Sequence, residues 1–386
     1  MARGTTRART SLWRLPAMRA LVGATVLGFT SFSLTLASLP AHAVAGGAAA
    51  DTAGVVTAVF LVVTVAIQTV VPALTVRYGL GPVLGVGLLA LGAPAPLYAV
   101  NDGVLWLSAV SAVRGAGFGV LTVLGATLAA RVAPPERRGE SIGLYGLAIA
   151  VPNLVAVPAG VALVLGGHAG WLAWLAASPV LALPLVPGVV RGARVEPPGG
   201  TSSSRAAVRA ALAPSTVLLV VTLAGGGLVT FLPIERPDGV LATATLLLFG
   251  ITAALGRWRA GVLADRAGTR LLLPLALFVS AAGLAAVALG LGAGAGWVLA
   301  GAAVFGAGYG MVQNLTLLAA FARAGEGGAT AASATWNASF DAGTAVGALA
   351  LGLVAAGVGL PWTYALVAGV LLLALPLARV ATRLPR

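Results

Sequence analysis

The chain alternates long apolar stretches with short polar breaks. Each stretch runs close to the ~20 residues that a helix needs to cross a hydrocarbon core of ~30 Å. The pattern predicts twelve spanning helices. The first six lie at about 18–39, 52–76, 82–100, 104–130, 140–166 and 170–190. The second six lie at about 215–234, 239–256, 271–292, 296–322, 328–356 and 361–380. Pro72, Pro152, Pro158 and Pro184 interrupt these runs, which lipid tolerates where neighbouring groups satisfy the freed carbonyls. One break is longer: RGARVEPPGGTSSSRAAVRAALAP, residues 191–214, has the proline, glycine and serine of a flexible linker. Its end, 205–212, can form a short amphipathic helix on the membrane surface. The expected organisation is a tail over 1–17, a six-helix bundle over 18–190, the linker 191–214, a second six-helix bundle over 215–380 and a tail over 381–386.

The two halves repeat. Trp106-x7-Arg114-Gly-Ala-Gly-Phe-Gly119 matches Trp297-x7-Phe305-Gly-Ala-Gly-Tyr-Gly310, and Trp171 matches Trp362 at the same spacing. Arg77-x-Gly79 likewise matches Arg266-x-Gly268. Independent landmarks agreeing on one half-chain offset predict an all-α membrane protein of two pseudo-symmetric bundles. The pairs Gly115/Gly119 and Gly306/Gly310 are spaced to let helix backbones approach closely.

Composition narrows the function. Hydrophobic residues make up 59% of the 386 and charged ones 9%, against about a quarter charged in soluble domains. There is no cysteine and no lysine. That excludes a disulfide framework, a Walker A phosphate loop and a lysine Schiff base, so the chain carries no ATP motor. His42 and His168 lie far apart without metal spacing; neither metal nor cofactor is expected. The net charge of +13 reads as topology rather than nucleic-acid binding. With the spans so drawn, 21 of the 23 arginines fall on one side, Arg114 and Arg236 excepted. The positive-inside rule then places both termini and the linker in the cytoplasm of a multi-pass cell-membrane protein. Ala41-His42-Ala43 looks like a signal-peptidase site. The apolar run before it exceeds the ~7–15 residues of a signal core, and the repeat requires the helix, so span 1 is expected to be retained.

GVLADRAGTR, residues 261–270, sits between spans 8 and 9. It resembles the loop signature of the major facilitator superfamily, G-x-L-A-D-R-x-G-R-R, through Gly261, Leu263, Ala264, Asp265, Arg266, Gly268 and Arg270, with Thr269 departing from it. Its glycines are expected to turn the chain between two helices. The Asp265 carboxylate can accept from N–H groups at a neighbouring helix start. Pseudo-symmetry directs the loop toward Glu136-Arg-Arg-Gly-Glu140 at the start of span 5, where Arg266 or Arg270 is expected to pair with Glu136 or Glu140 as a cytoplasmic latch. The first-half copy keeps only Arg77 and Gly79; Val76 stands where the aspartate belongs, and Glu326 is a candidate partner for Arg77.

Two charges lie deep within spans. Arg114 is ~13 Å from the outer face and Asp341 ~18 Å from the cytoplasmic face, at 1.5 Å per residue. A charge there costs at least about 2.5–3.5 kcal/mol and should face a cavity or a partner. Arg114-x-x-Gly117-x-Gly119 resembles the superfamily's span 4 signature, which implies proton coupling. Phe340, Asp341, Gly343 and Gly347 resemble the span 11 signature of a bacterial exporter subgroup. One expectation is that Arg114 and Asp341 pair across the halves and that Asp341 takes up a proton when unpaired. The other is that Arg114 binds backbone carbonyls of its own half and that Asn337 or Thr344 satisfies Asp341. Thr30, Ser33, Tyr145, Asn153, Gln313, Asn314 and Asn337 are candidate polar cavity groups, and Phe118, Tyr309 and Trp336 candidate walls.

The resemblance implies a secondary transporter working by alternating access. The expected activity is proton-antiport efflux of a small amphipathic molecule by a monomer in the bilayer, with protons as coupling ion. The span 5 antiporter motif is eroded to Pro158 and Gly160. Symport uptake therefore stays open, as does a transport-inactive sensor or scaffold. An enzyme is not expected, because paired carboxylates, a metal cluster and a nucleophile with a histidine base are all missing.

Overall fold

The computed structural model describes residues 11–36, 38–48, 54–194, 204–235, 239–325 and 327–383, and among these every regular element is a helix. Twelve are long and apolar enough to cross a membrane. Spans 1–6 are Pro16–Ala45, Val55–Tyr78, Leu80–Ala99, Val104–Val132, Pro135–Val164 and Ala169–Gly192. Spans 7–12 are Arg205–Leu232, Thr243–Ala267, Thr269–Ala293, Ala295–Ala324, Ala329–Val358 and Leu360–Ala381. The chain therefore begins span 1 and ends span 12 at one end of the bundle, which also carries the span 2–3, 4–5, 8–9 and 10–11 turns. This is the motif end below.

The repeat is visible in the packing. Span 4 lies against spans 2 and 3, and span 10 against spans 8 and 9 in the same way; span 1 packs on span 5 as span 7 packs on span 11. The glycine pairs set these approaches. A Cβ at Gly115 would fall 2.4 Å from the Phe60 carbonyl oxygen, and one at Gly306 would fall 2.4 Å from that of Phe249. Gly119 meets Thr64 and Gly310 meets Ala253 one turn further on. The turns match too. Gly79 (φ 81°, ψ 166°) and Gly268 (φ 75°, ψ 170°) each close one helix and open the next in a left-handed conformation that favours glycine. At the opposite end Trp106, Trp171, Trp297 and Trp362 are exposed, forming the aromatic girdle that marks a membrane–water interface.

Two boundaries differ most from the sequence reading. Span 7 begins at Arg205 rather than 215, so 205–214 belong to one continuous helix, Ser204–Glu235, and not to a linker or a separate surface helix. Span 8 does not stop near 256 but runs to Ala267. Gly261 is inside it, and only Gly268 makes the turn. Arg257 and Arg259 are therefore helical, and Arg257 is buried, so it does not belong to a polar loop on the arginine-rich side. Glu326 and residues 195–203 of the linker lie outside the described residues.

Candidate functional site

The halves meet where span 5 runs along span 8 and span 2 runs along span 11. At the motif end one stripe of span 8 makes the seam. Arg257, Gly261 and Asp265 follow at i, i+4 and i+8, hence on one face. Gly261 lies on Gly139 so closely that a Cβ would fall 2.0 Å from the Gly139 carbonyl oxygen. Asp265 caps span 5 from the other half: Gly139 N–H donates to Oδ1 and Glu140 N–H to Oδ2, both at 2.8 Å. These are first-turn donors that their own helix cannot satisfy, and their positive end favours a carboxylate. The expected latch is thus made differently. Glu140 pairs with Arg137 of its own loop at 2.7 Å. No ion pair joins Arg266 or Arg270 to Glu136 or Glu140 among the described residues. The helix start presents its backbone donors to the facing aspartate, as the motif led one to expect. Arg77 is exposed and stacks over Tyr78.

Further in, span 11 bonds to spans 4 and 2. Ser333 Oγ donates to the Val123 carbonyl at 2.8 Å, and Asn337 Nδ2 to the Thr122 carbonyl at 3.5 Å. Gln68 Nε2 donates to Asp341 Oδ2 at 2.9 Å. Gln68 lies about three turns before the end of span 2 and Asp341 about three turns after the start of span 11. All these cross-half bonds therefore lie between the membrane midplane and the motif end, which is closed.

Beside them sits a second buried charge that the sequence reading passed over. Arg257 Nη1 donates to Gln313 Oε1 at 3.0 Å, and Asn314 Nδ2 donates to the Arg257 carbonyl at 2.9 Å. The guanidinium lies 5.7 Å from the Trp336 ring centre, near a cation–π contact. It is within electrostatic reach of the phenols of Tyr145 and Tyr309, and Tyr309 is also within reach of Asp341. Trp336 stacks on Phe340 and donates Nε1 to Thr316. Tyr145, Tyr309, Gln313, Asn314, Trp336, Asn337 and Asp341 thus gather around Arg257 and Gln68.

Arg114 is not among them. It is fully buried in the first half. Nε donates to the Leu91 carbonyl at 2.8 Å, Nη1 to Thr35 Oγ1 and Tyr98 OH, and Nη2 to Ser31 Oγ and its carbonyl. Spans 1 and 3 supply all these acceptors. Arg114 and Asp341 are therefore not partners in this structure: Arg114 points toward spans 1 and 3, away from the seam. Nor do Asn337 and Thr344 satisfy Asp341. Asn337 turns to Ser333 and Thr122, and Thr344 to the Phe340 carbonyl. Four other candidates, Thr30, Ser33, Phe118 and Asn153, also stay within the first half. Ser33 donates to Asn153 Oδ1, and Phe118 stacks on Phe32 at 4.2 Å between centroids. Thr30 is partly buried in span 1.

Family comparison decides what the fold belongs to. The Major Facilitator Superfamily model matches residues 21–335. The chain belongs to the major facilitator superfamily. It is a multi-pass membrane protein of the transporter class, not an enzyme. No curated protein matches the sequence. Solved structures share the fold at low identity. The human organic anion transporter MFSD10 (TETRAN) superposes with a TM-score of 0.77 at 17% identity, over 94% of this chain and 99% of that one. The E. coli fucose:proton symporter FucP gives 0.72 at 15%, over 95% and 98%. FucP in its outward conformation gives 0.73 at 15%, over 97% and 100%.

Proposed function

We propose that this chain is a proton-coupled exporter of a small amphipathic organic molecule, working as a monomer by alternating access in the cell membrane. The two six-helix halves rock against each other, the stretch between spans 6 and 7 joins them, and the motif end faces the cytoplasm. The arginine-rich breaks on that side support the orientation. The state described above is then closed to the cytoplasm.

The observation that carries the proposal is the bond from Gln68 to Asp341. Asp341 is the carboxylate at the midplane of the seam, and its cross-half partner is a neutral amide. A proton can therefore arrive or leave without stranding a buried cation. A carboxylate accepts more strongly than a carboxylic acid, so protonation weakens a bond between the halves and links proton uptake to their separation. Arg114 drops out of this step, since its donors are engaged inside one half. Among the fold's neighbours are one named as an organic anion transporter and one named as a sugar:proton symporter. Both names fit a small-molecule substrate, and the second fits proton coupling.

The test uses inside-out vesicles with an acidified lumen and a pH-sensitive dye, to which pools of amphipathic metabolites and drugs are added in turn. One pool should discharge the gradient with the native chain and fail to do so with Asp341→Asn. Discharge that survives in Asp341→Asn would remove Asp341 from coupling. Substrate movement unaffected by the gradient would remove the protons.

A further inference from the structure

The two buried arginines are satisfied very differently. Arg114 donates to oxygens of four residues. Arg257 is 7% exposed, makes one side-chain hydrogen bond, to Gln313, and leaves its buried Nε–H with no acceptor. No carboxylate is ion-paired with Arg257 among the described residues. Asp341 is held by Gln68 and Asp265 by the start of span 5. A buried cation without an anion is costly, and such charges mark substrate or ion pathways. Its surroundings suit an amphipathic guest. Trp336 offers an aromatic face, with Phe340 stacked behind it.

Arg257 also sits on the moving seam. Gly146 of span 5 lies against it, and a Cβ there would fall 2.4 Å from Nε. Separating spans 5 and 8 at the motif end therefore frees the guanidinium edge that carries the unpartnered Nε–H. That edge presents parallel N–H groups, the geometry that receives a carboxylate with two hydrogen bonds.

We propose that Arg257 is the anion-recognition group of the transport site, and that the substrate is an organic acid whose carboxylate docks on Arg257 and whose apolar body lies on Trp336. It loads from the motif end when spans 5 and 8 part. This rests on the alternating-access reading, because in the closed state Gly146 covers the group. It also adds to that reading a substrate class and a charge requirement.

The test is equilibrium binding to the purified full chain in lipid nanodiscs, with no gradient applied. The probes are 2-naphthoate, 2-naphthamide and 2-naphthylmethylammonium, which share one ring and differ in charge. Naphthoate should bind tighter than either of the others by roughly tenfold or more, the scale of one charge-assisted hydrogen bond. Arg257→Gln should erase that preference. Because Arg257→Gln could misfold, Gln313→Glu serves as a second variant. It is nearly isosteric and places a carboxylate at a distance where Gln313 already bonds Arg257. It should fold, melt at least as high as the parent, and lose naphthoate binding. Absence of naphthoate binding to the parent, preference for the amide or ammonium, or unchanged naphthoate binding in folded variants would each overturn the proposal. Failure of the transport reading looks different: naphthoate would bind with the expected preference while vesicles carried no flux of any pool.

Discussion

Replacing Gly261 by alanine should prop the closed gate open. The new Cβ would fall 2.0 Å from the Gly139 oxygen and 2.7 Å from its carbonyl carbon. Ordinary C···O contact is about 3.3–3.6 Å, so the two backbones must part by more than about 1 Å. Both obstructing atoms are backbone, so no rotamer change relieves them. The same movement stretches the two 2.8 Å bonds from Gly139 and Glu140 to Asp265. A hydrogen bond to a charged group contributes about 1.5–3 kcal/mol. Asp265 can follow the shift in part, so forfeiting about one bond, roughly 2 kcal/mol, is a fair figure. That moves the closed–open equilibrium by about thirtyfold. The native chain has no cysteine, so a single reporter gives a clean reading. Ser333→Cys places a thiol at a fully buried position on the cross-half seam. Its alkylation by a maleimide reports opening. In this background Gly261→Ala should speed labelling by about ten- to a hundredfold. Gly369→Ala, where a Cβ meets nothing within 4 Å, should leave it unchanged. Equal labelling rates in Gly261→Ala and its parent, with both proteins folded, would refute the reasoning that this contact holds the halves together.

Two further substitutions separate structural from gating roles. Arg114→Gln should lower folding stability by at least about 3 kcal/mol, because several buried acceptors lose a charged donor at once; denaturant unfolding in detergent measures this, and an undiminished midpoint with lost flux would return Arg114 to the transport machinery. Gln68→Leu should speed Ser333→Cys labelling by roughly tenfold, since it removes a charge-assisted bond between the halves while filling the same space; an unaltered rate would mean that the bond to Asp341 does not help keep the seam shut.

Much of the architecture was legible in the sequence for a simple physical reason. Lipid forces each crossing to satisfy its own backbone, so every helix announces itself as an apolar run, and the Trp106/Trp297 and Gly79/Gly268 correspondences reappear as equal packing and equal turns. Depth was legible as well, because it is a residue count along a helix. Direction around the axis was not. Helices that are apolar on every side carry no strong amphipathic stripe, so Arg114 and Asp341 could be placed at one level without showing that Arg114 turns away from the seam. Arg257 was missed because the Arg-Trp-Arg run looked like the end of span 8. The usable signal was the spacing Arg257, Gly261, Asp265, which makes sense as one helical face only if the helix continues. The Asp265 cap on a helix start was readable from the motif, and pseudo-symmetry aimed it at span 5; that Glu140 would pair with Arg137 rather than with Arg266 or Arg270 was not, because rotamers leave no mark on a sequence.

The two pseudo-symmetric turns have kept one geometry but not one chemistry. Gly79 and Gly268 reverse the chain alike, yet Asp265 faces a helix start while Val76, in its counterpart, is 90% exposed. Folding demands the reversal twice; the carboxylate survives once. Asp265 is thus the one bolt carried by a turn, set beside the span 11 bonds to Val123, Thr122 and Gln68, and the opening rate answers to both. Changes around residues 261–270 should then act on that rate nearly additively with changes elsewhere, whereas replacing Arg77 should leave it where it was. A ligand or a neighbouring charge at the motif end that engaged this loop would shift the resting position of the molecule.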